Sequence, residues 1–283
     1  MNDGPVNDGP MNDGAADDGA ASDHRPRVSV ERDGHVLVIG LDRPEKRNAA
    51  DLRMLRELSL AYGLLDRDPD LRVGLLVGQG EHFTAGLDLG DVAPAVGEDG
   101  LDLVPEGGLH PWQVEGRQLT KPVVAAVQGT CLTLGVELAL ASDVVVAEVG
   151  TRFGQIEVSR AILPFGGATI RLPRRVGWGD AMRWMLTGDL FDAEEARRIG
   201  LVQEVVPVGE ARTRGLELAR RIAAQAPLAV QAALANARLA VREGDAAAEA
   251  RLQPELVRLM RTGDARRGME AFLSRTSAEY EGD

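Results

Sequence analysis

Apolar residues recur along this chain with two periods, and the switches between them outline an architecture. "RVSVERDGHVLVIGL" (27–41) holds two β-rich runs on either side of Asp33-Gly34, the pattern of a hairpin. "AADLRMLRELSLAYGLLDRD" (49–68) sets apolar residues at helical spacing, with Asp51 in the first turn. "RVGLLVG" (72–78) and "KPVVAAVQG" (121–129) read as short buried strands, the second entered through Lys121-Pro122. "GVELALA" (135–141) is helical in pattern, and "DVVVAE" (143–148) is a strand again. Strands alternating with helices imply an α/β core with buried strands.

After about residue 206 the strand patterns stop. "EARTRGLELARRIAAQ", "PLAVQAALANARLAVREG", "AAAEARLQPELVRLMRTG" and "DARRGMEAFLSRTSAEY" read as successive helices separated by Gly, Pro and Asp. Two of them carry apolar stripes, Leu252, Leu256, Leu259 and Met260, then Met269, Phe272 and Leu273, suited to packing on a neighbouring subunit. Residues 92–117 have little periodicity and many Gly and Pro. A loop of that length is either a wall of a substrate pocket, with His110 and Trp112 as contacts, or a surface excursion. Residues 1–24 form a decaying NDG/DDG repeat with almost nothing to bury, for which disorder is the expectation.

Composition narrows the function classes. A chain of 283 residues with 44% hydrophobic and 27% charged residues is that of a soluble globular protein. No apolar run reaches the ~18–20 residues of a membrane span, and no basic segment followed by an apolar stretch marks a secretory signal. The single Cys131 excludes an internal disulfide and fits the cytoplasm, and its apolar neighbours suit a packed thiol. The formal charge is −12, half of it from six Asp in residues 1–24, which argues against nucleic-acid binding. Lysine occurs only at Lys46 and Lys121. His24, His35, His82 and His110 are scattered, and no GxGxxG lies in a βαβ context, so no metal or redox cofactor is expected.

One charge stands out. Between Cys131 and Ser142 the only ionisable carboxylate is Glu137, set among Leu134, Val136, Leu138, Ala139 and Leu140. Burying it unpaired would cost several kcal/mol. Either it faces water or pairs with an arginine as a structural residue, or the cost is tolerated because the carboxylate does chemistry.

Six stretches, in order, resemble the enoyl-CoA hydratase/isomerase (crotonase) superfamily. They are "LDRPEKRNA" (41–49), "FTAGLDL" (83–89), "KPVVAAVQGTCLTLGVELALASDVVVAE" (121–148), "TRFGQIEVSRAILPFGGATIRL" (151–172), "LTGDLFDAEEARRIGLVQEVVP" (186–207) and the closing "GMEAFLSRTSAEY". The resemblance implies an α/β fold, a crotonase-like spiral of ββα units with a C-terminal all-helical region. It divides the chain into an acidic tail (1–24), a core (25–205) and a helical trimerisation region (206–283). It implies a homotrimer or homohexamer acting on an acyl-CoA, with no cofactor beyond the CoA of the substrate and with neither nucleic acid nor membrane as partner.

By the same resemblance the backbone N–H groups of Leu87 and Leu134 form an oxyanion hole for the thioester oxygen. Gly86 permits the tight turn at the first, and a helix N-terminus offers unpaired amides at the second. Glu137 falls one helical turn beyond Leu134 and Glu157 lies in "FGQIEVS", the positions of the two catalytic glutamates of hydratases. Arg43, Lys46, Arg47, Ala85, Gly86, Asp88, Phe165 and Gly166 fall where substrate or CoA is contacted. This chain has Thr133 and Leu134 where hydratases have consecutive glycines, Gly90 where some have a lysine, and Phe165 where a glycine amide helps hold the catalytic water. The Phe165 ring would narrow the acyl site or expel that water. The expected activity is hydration of a 2-enoyl-CoA. Enoyl-CoA isomerisation and C–C hydrolysis of a β-diketone are the rivals on this scaffold, and a non-catalytic member the rival of another class.

Overall fold

The computed structural model describes residues 25–283, and the expected disorder of 1–24 lies outside them. Nine strands occur among the described residues: β1 (Val28–Asp33), β2 (Val36–Leu41), β3 (Val73–Gly78), β4 (Val123–Val127), β5 (Thr130–Leu132), β6 (Val144–Glu148), β7 (Arg152–Gly154), β8 (Phe191–Asp192) and β9 (Glu204–Val206). Six form one sheet in the order β1-β2-β3-β4-β6-β9, parallel except for the β1-β2 hairpin, and β5-β7-β8 form a smaller one. The hairpin is the one legible at Asp33-Gly34, with Gly34 at φ 55° in its turn.

The chain passes twice from the large sheet to the small one, β4 to β5 across Gln128-Gly129 and β6 to β7 across residues 149–151. A helix follows each passage, giving the ββα spiral. The helices are α1 (Leu52–Arg67), α2 (Leu89–Val92), α3 (Leu134–Ala141), α4 (Ala168–Val176), α5 (Trp178–Thr187), α6 (Ala193–Arg198), α7 (Ala211–Ala223), α8 (Pro227–Glu243), α9 (Asp245–Leu259) and α10 (Gly263–Ser274).

Alternate residues of the parallel strands bury into two cores, as a sheet covered on both faces requires. Leu37, Ile39, Leu76, Ala125 and Val145 pack with α1 and α3, while Val38, Leu75, Val77, Ala126 and Val146 face α7. Helix α7 lies close to the sheet because Ala211, Gly215, Ala219 and Ala223, four residues apart, line its inner face. A Cβ on Gly215 would stand 2.9 Å from Leu75 Cδ1 and 3.0 Å from Ala126 Cβ.

Local chemistry sets the ends of α1. Asp51 is its N-cap, accepting from Met54 N at 2.8 Å. The buried Lys121 donates to Leu65 O at 2.9 Å and to Asp68 O, so this lysine satisfies carbonyls at the negative end of the helix. Residues 93–100 are an exposed surface stretch, and the rest of 92–117 is anchored inward at intervals. Leu103, Leu109 and Trp112 are buried in the main core, and Arg67 donates to Gly107 O.

The chain after residue 206 is helical beyond the short β9, as its pattern indicates. Helix α8 has no buried residue and α9 only Ala248, while Leu252, Leu256, Met260, Phe272 and Leu273 are exposed. Arg238 ties α8 to the core through an ion pair with Asp143 at 3.0 Å. No helix among the described residues is long and apolar enough to cross a membrane.

Gly215→Val is expected to lose about 1–3 kcal/mol by overpacking α7 against β3 and β4. A lower midpoint in urea unfolding at unchanged slope is the expected readout. An unchanged midpoint would show that the helix can move off the sheet freely.

Candidate active site

Four segments converge on a cavity of about 150 Å³: the 85–89 strap, the N-terminus of α3, a 3-10 turn at Glu157–Arg160 and the 162–166 loop. Each is fixed by backbone bonding that leaves particular groups facing the cavity.

Three of the strap's five amides are clamped. Ala85 N donates to Arg47 O at 2.9 Å, Gly86 N to Thr84 Oγ1 at 3.0 Å and Asp88 N to Ala50 O at 2.9 Å. Leu87 N–H, on a cavity-lining residue, donates to nothing among the described residues. Gly86 sits at φ 103°, and a Cβ there would collide with Thr133 Oγ1, so both conformation and space demand glycine. The buried Asn48 supports this arrangement from behind through Gln79 O at 2.9 Å and His82 O at 2.7 Å.

The Leu134 amide is free for the reason foreseen, being the first residue of α3. The chain reaches it through Thr133 at φ 48°, ψ −111°, a glycine-like conformation that costs a β-branched residue about 1–3 kcal/mol. Thr133 N–H donates to Gly154 O at 2.8 Å and so pins the turn to β7. The Leu134 side chain is buried and borders the cavity.

Glu137 is 3% exposed and has no ion pair among the described residues, which removes its reading as the partner of an arginine. Its Oε1 accepts from Ala168 N at 3.1 Å. Nearby Arg171 is engaged instead with Gly166 O at 3.3 Å and Gln113 O at 3.0 Å. Burial, with the neighbouring charge of Glu157, pushes the Glu137 carboxyl up to about 8, against the opposing pull of the Ala168 amide. Glu157 is pushed by burial up to about 6. Gln155 Nε2 donates to its Oε1 at 3.4 Å, and its buried Oε2 has no partner. Near neutral pH the pair holds one proton between its members, so a proton acceptor and a proton donor face one cavity.

Phe165 is 41% exposed and forms an apolar wall, edge-on to the buried Trp112 with centroids 5.6 Å apart. Trp112 thus borders the site behind that wall. Gly166 is where the backbone touches the carboxylate: a Cβ there would collide with Glu137 Oε2 and stand 2.9 Å from Trp112 Cδ1. The Gly166-Gly167 doublet was the available sequence signal for this contact, and its target was not readable. Leu89, Ile156, Arg160 and Ile162, which no motif singles out, also stand on the cavity wall.

Two expected CoA contacts engage each other. Arg43 Nη1 donates to Asp88 Oδ2 at 2.8 Å and to Ala49 O at 3.0 Å, bracing the strap. Lys46 and Arg47 are exposed, and none of the three basic side chains lines the cavity. Cys131 is buried with its thiol pushed up by burial, consistent with a packed, unreactive role.

A model of the enoyl-CoA hydratase/isomerase family matches residues 31–283. The chain belongs to that family. Enoyl-CoA hydratase EchA19 of Mycobacterium tuberculosis is 35% identical over 264 residues, covering 90% of this chain and 97% of that protein. The crystal structure of a probable enoyl-CoA hydratase/isomerase from Mycobacterium abscessus is 60% identical, with a TM-score of 0.89 over 91% of this chain and 99% of that one. An enoyl-CoA hydratase structure from Mycobacterium tuberculosis is 36% identical, with a TM-score of 0.83 over 92% of this chain and all of that one, 100%. The α/β spiral with its helical C-terminal region is therefore the crotonase fold.

The raised Glu137 value fixes a sign for stability in this crotonase. Between about pH 4.5 and pH 8 the folded protein keeps a proton that the unfolded chain releases, so stability falls as pH rises through that window. Glu137→Gln removes the ionisation. Its melting temperature relative to wild type should therefore climb from pH 5 to pH 9 by on the order of 5 °C. A difference independent of pH would contradict a carboxyl titrating near 8.

Proposed function

We propose that this crotonase hydrates a 2-enoyl-CoA thioester. The observation that carries the reading is the convergence, on one cavity, of two buried glutamates and two cavity-lining residues with unbonded amides. The thioester oxygen lies between Leu87 N–H and Leu134 N–H, where charge develops as water adds. Each such donor is worth about 2.7–4 kcal/mol of transition-state stabilisation, and the N-terminal end of α3 adds its partial positive charge. The water oxygen bonds to Cβ, one carboxylate takes the proton that water loses, and the carboxylic acid of the pair delivers a proton to Cα. Atoms and charge balance with no group beyond the pair.

Backbone donors explain why Thr133 and Leu134 are compatible with this chemistry: the amide positions persist while the side chains change. The cavity volume suits a short acyl group, since an apolar cavity of about 150 Å³ accommodates benzene in another protein. Lys46 and Arg47, exposed on the loop behind the strap, are the basic groups available to the phosphates of CoA. The exposed stripes of α9 and α10, and an α8 with no fully buried residue, support assembly into a trimer or hexamer. Light scattering is expected to show such an oligomer, and a monodisperse monomer would overturn that part.

Loss of the conjugated enoyl-thioester absorbance on incubation with crotonyl-CoA is the direct assay. Glu137→Gln and Glu157→Gln are each expected to lower kcat about 10²–10⁴-fold with little change in KM. The double variant should be scarcely slower than the worse single, because groups acting on one water are non-additive. A folded Glu137→Gln protein that hydrates at the wild-type rate would sink the mechanism. Loss from only one of the two singles would favour isomerisation, in which one carboxylate shuttles the proton.

A further inference from the structure

The cavity wall carries a cation that hydration of an alkyl enoyl group does not require. Arg160 is the only basic residue among those lining it, and the walls beside it are Leu87, Leu89, Leu134, Ile156, Ile162 and Phe165. Its guanidinium has no ion pair among the described residues. Nη1 reaches Ile156 O at 3.5 Å and Ser159 Oγ at 3.2 Å, both local and long, while Nε and Nη2 have no partner there. An arginine fork edging an apolar pocket, with two donors unused, is suited to a carboxylate.

Its placement indicates which carboxylate. Glu157 and Arg160 are the first and last residues of one 3-10 turn. Side chains three apart on such a turn eclipse, about 6 Å along its axis. The Arg160 side chain is exposed and folds back over that turn, with Nη1 reaching Ile156 O, so the guanidinium shares one side of the turn with Glu157 and its charge opposes the effect of burial on that carboxyl. Lys46 and Arg47, on the loop that holds the Leu87 strap, lie on a different segment. The anion within reach of Arg160 is accordingly one carried by the acyl group in this cavity.

We propose that Arg160 selects acyl chains ending in a carboxylate, so that the substrate class is the 2-enoyl mono-CoA thioester of a short dicarboxylic acid. This rests on the acyl-CoA reading of the same cavity and adds a choice of substrate to it. The ω-carboxylate accepts from the free Nε and Nη2 donors while the thioester oxygen occupies the two backbone amides. A methyl-terminated chain of equal length leaves that fork unpaired.

Calorimetric binding of two unreactive thioesters, adipoyl-CoA and hexanoyl-CoA, separates the selection from catalysis. Wild type is expected to bind adipoyl-CoA at least about tenfold more tightly, the worth of one charge-assisted pair. In Arg160→Leu the ratio of affinities should fall to one or below, and Arg160→Lys should restore part of it. The same ordering should hold in kcat/KM for the corresponding 2-enoyl thioesters. Equal wild-type affinity for the two would overturn the selection while leaving hydration of crotonyl-CoA as a separate result. An equal loss of both ligands in Arg160→Leu would also overturn it, because Arg160 would then be holding the CoA portion. Binding of neither thioester would overturn both the selection and the acyl-CoA reading.

Discussion

A carboxyl group enclosed in an apolar interior without a counter-ion survives only if backbone dipoles replace the water it has lost. Glu137 is in that position. The turn leading into α4 supplies the Ala168 amide, and the absence of a side chain at Gly166 lets the backbone approach the carboxylate. The environment that makes this burial tolerable also fixes the carboxyl above its ordinary range. An arginine salt bridge would have stabilised the charge and lowered that value, and Arg171 is diverted to two carbonyls instead. The core around α3, the 166–168 turn and the second glutamate all answer to that one buried group.

The neighbouring amides follow a related logic. A donor can be kept free in a folded chain only if everything around it is bonded, because a slack loop would turn the N–H toward a local acceptor. At Leu87 the flanking residues are held on both sides, with Arg43 and Asp88 bracing the strap. At Leu134 the helix start leaves the donor unpaired, and Thr133 bears an unfavourable conformation to place it. A Cβ on Gly86 would collide with Thr133 Oγ1, so the two donor segments pack directly against each other and each limits the rigid-body freedom of the other. On the proposed reaction that rigidity is what preorganisation toward the enolate oxygen requires.

The scaffold beneath is conservative physics. Parallel strands buried on both faces need helices above and below, and the small residues of α7 let one helix lie close. Lys121, one of only two lysines, closes the carbonyl end of α1 and takes no part in the cavity.

Period and order along the sequence were enough to determine the hairpin, the α/β alternation, the helical C-terminal region and the family. Those features rest on local propensity and on motif spacing, which a linear string carries. Glu137 and Glu157 could be singled out because a charge in an apolar run and a matched motif are both visible one residue at a time. Only the tertiary structure decided that Glu137 lacks an arginine, that Arg43 is occupied by Asp88, and that Leu103, Leu109 and Trp112 join the core. It alone brought Arg160 to the site and set Trp112 edge-on behind Phe165, across sequence separations that no period spans. The physical reason is common to all of them: a side chain's partner is set by where the closed cores leave space and unpaired polar groups, and that is a property of the folded surface.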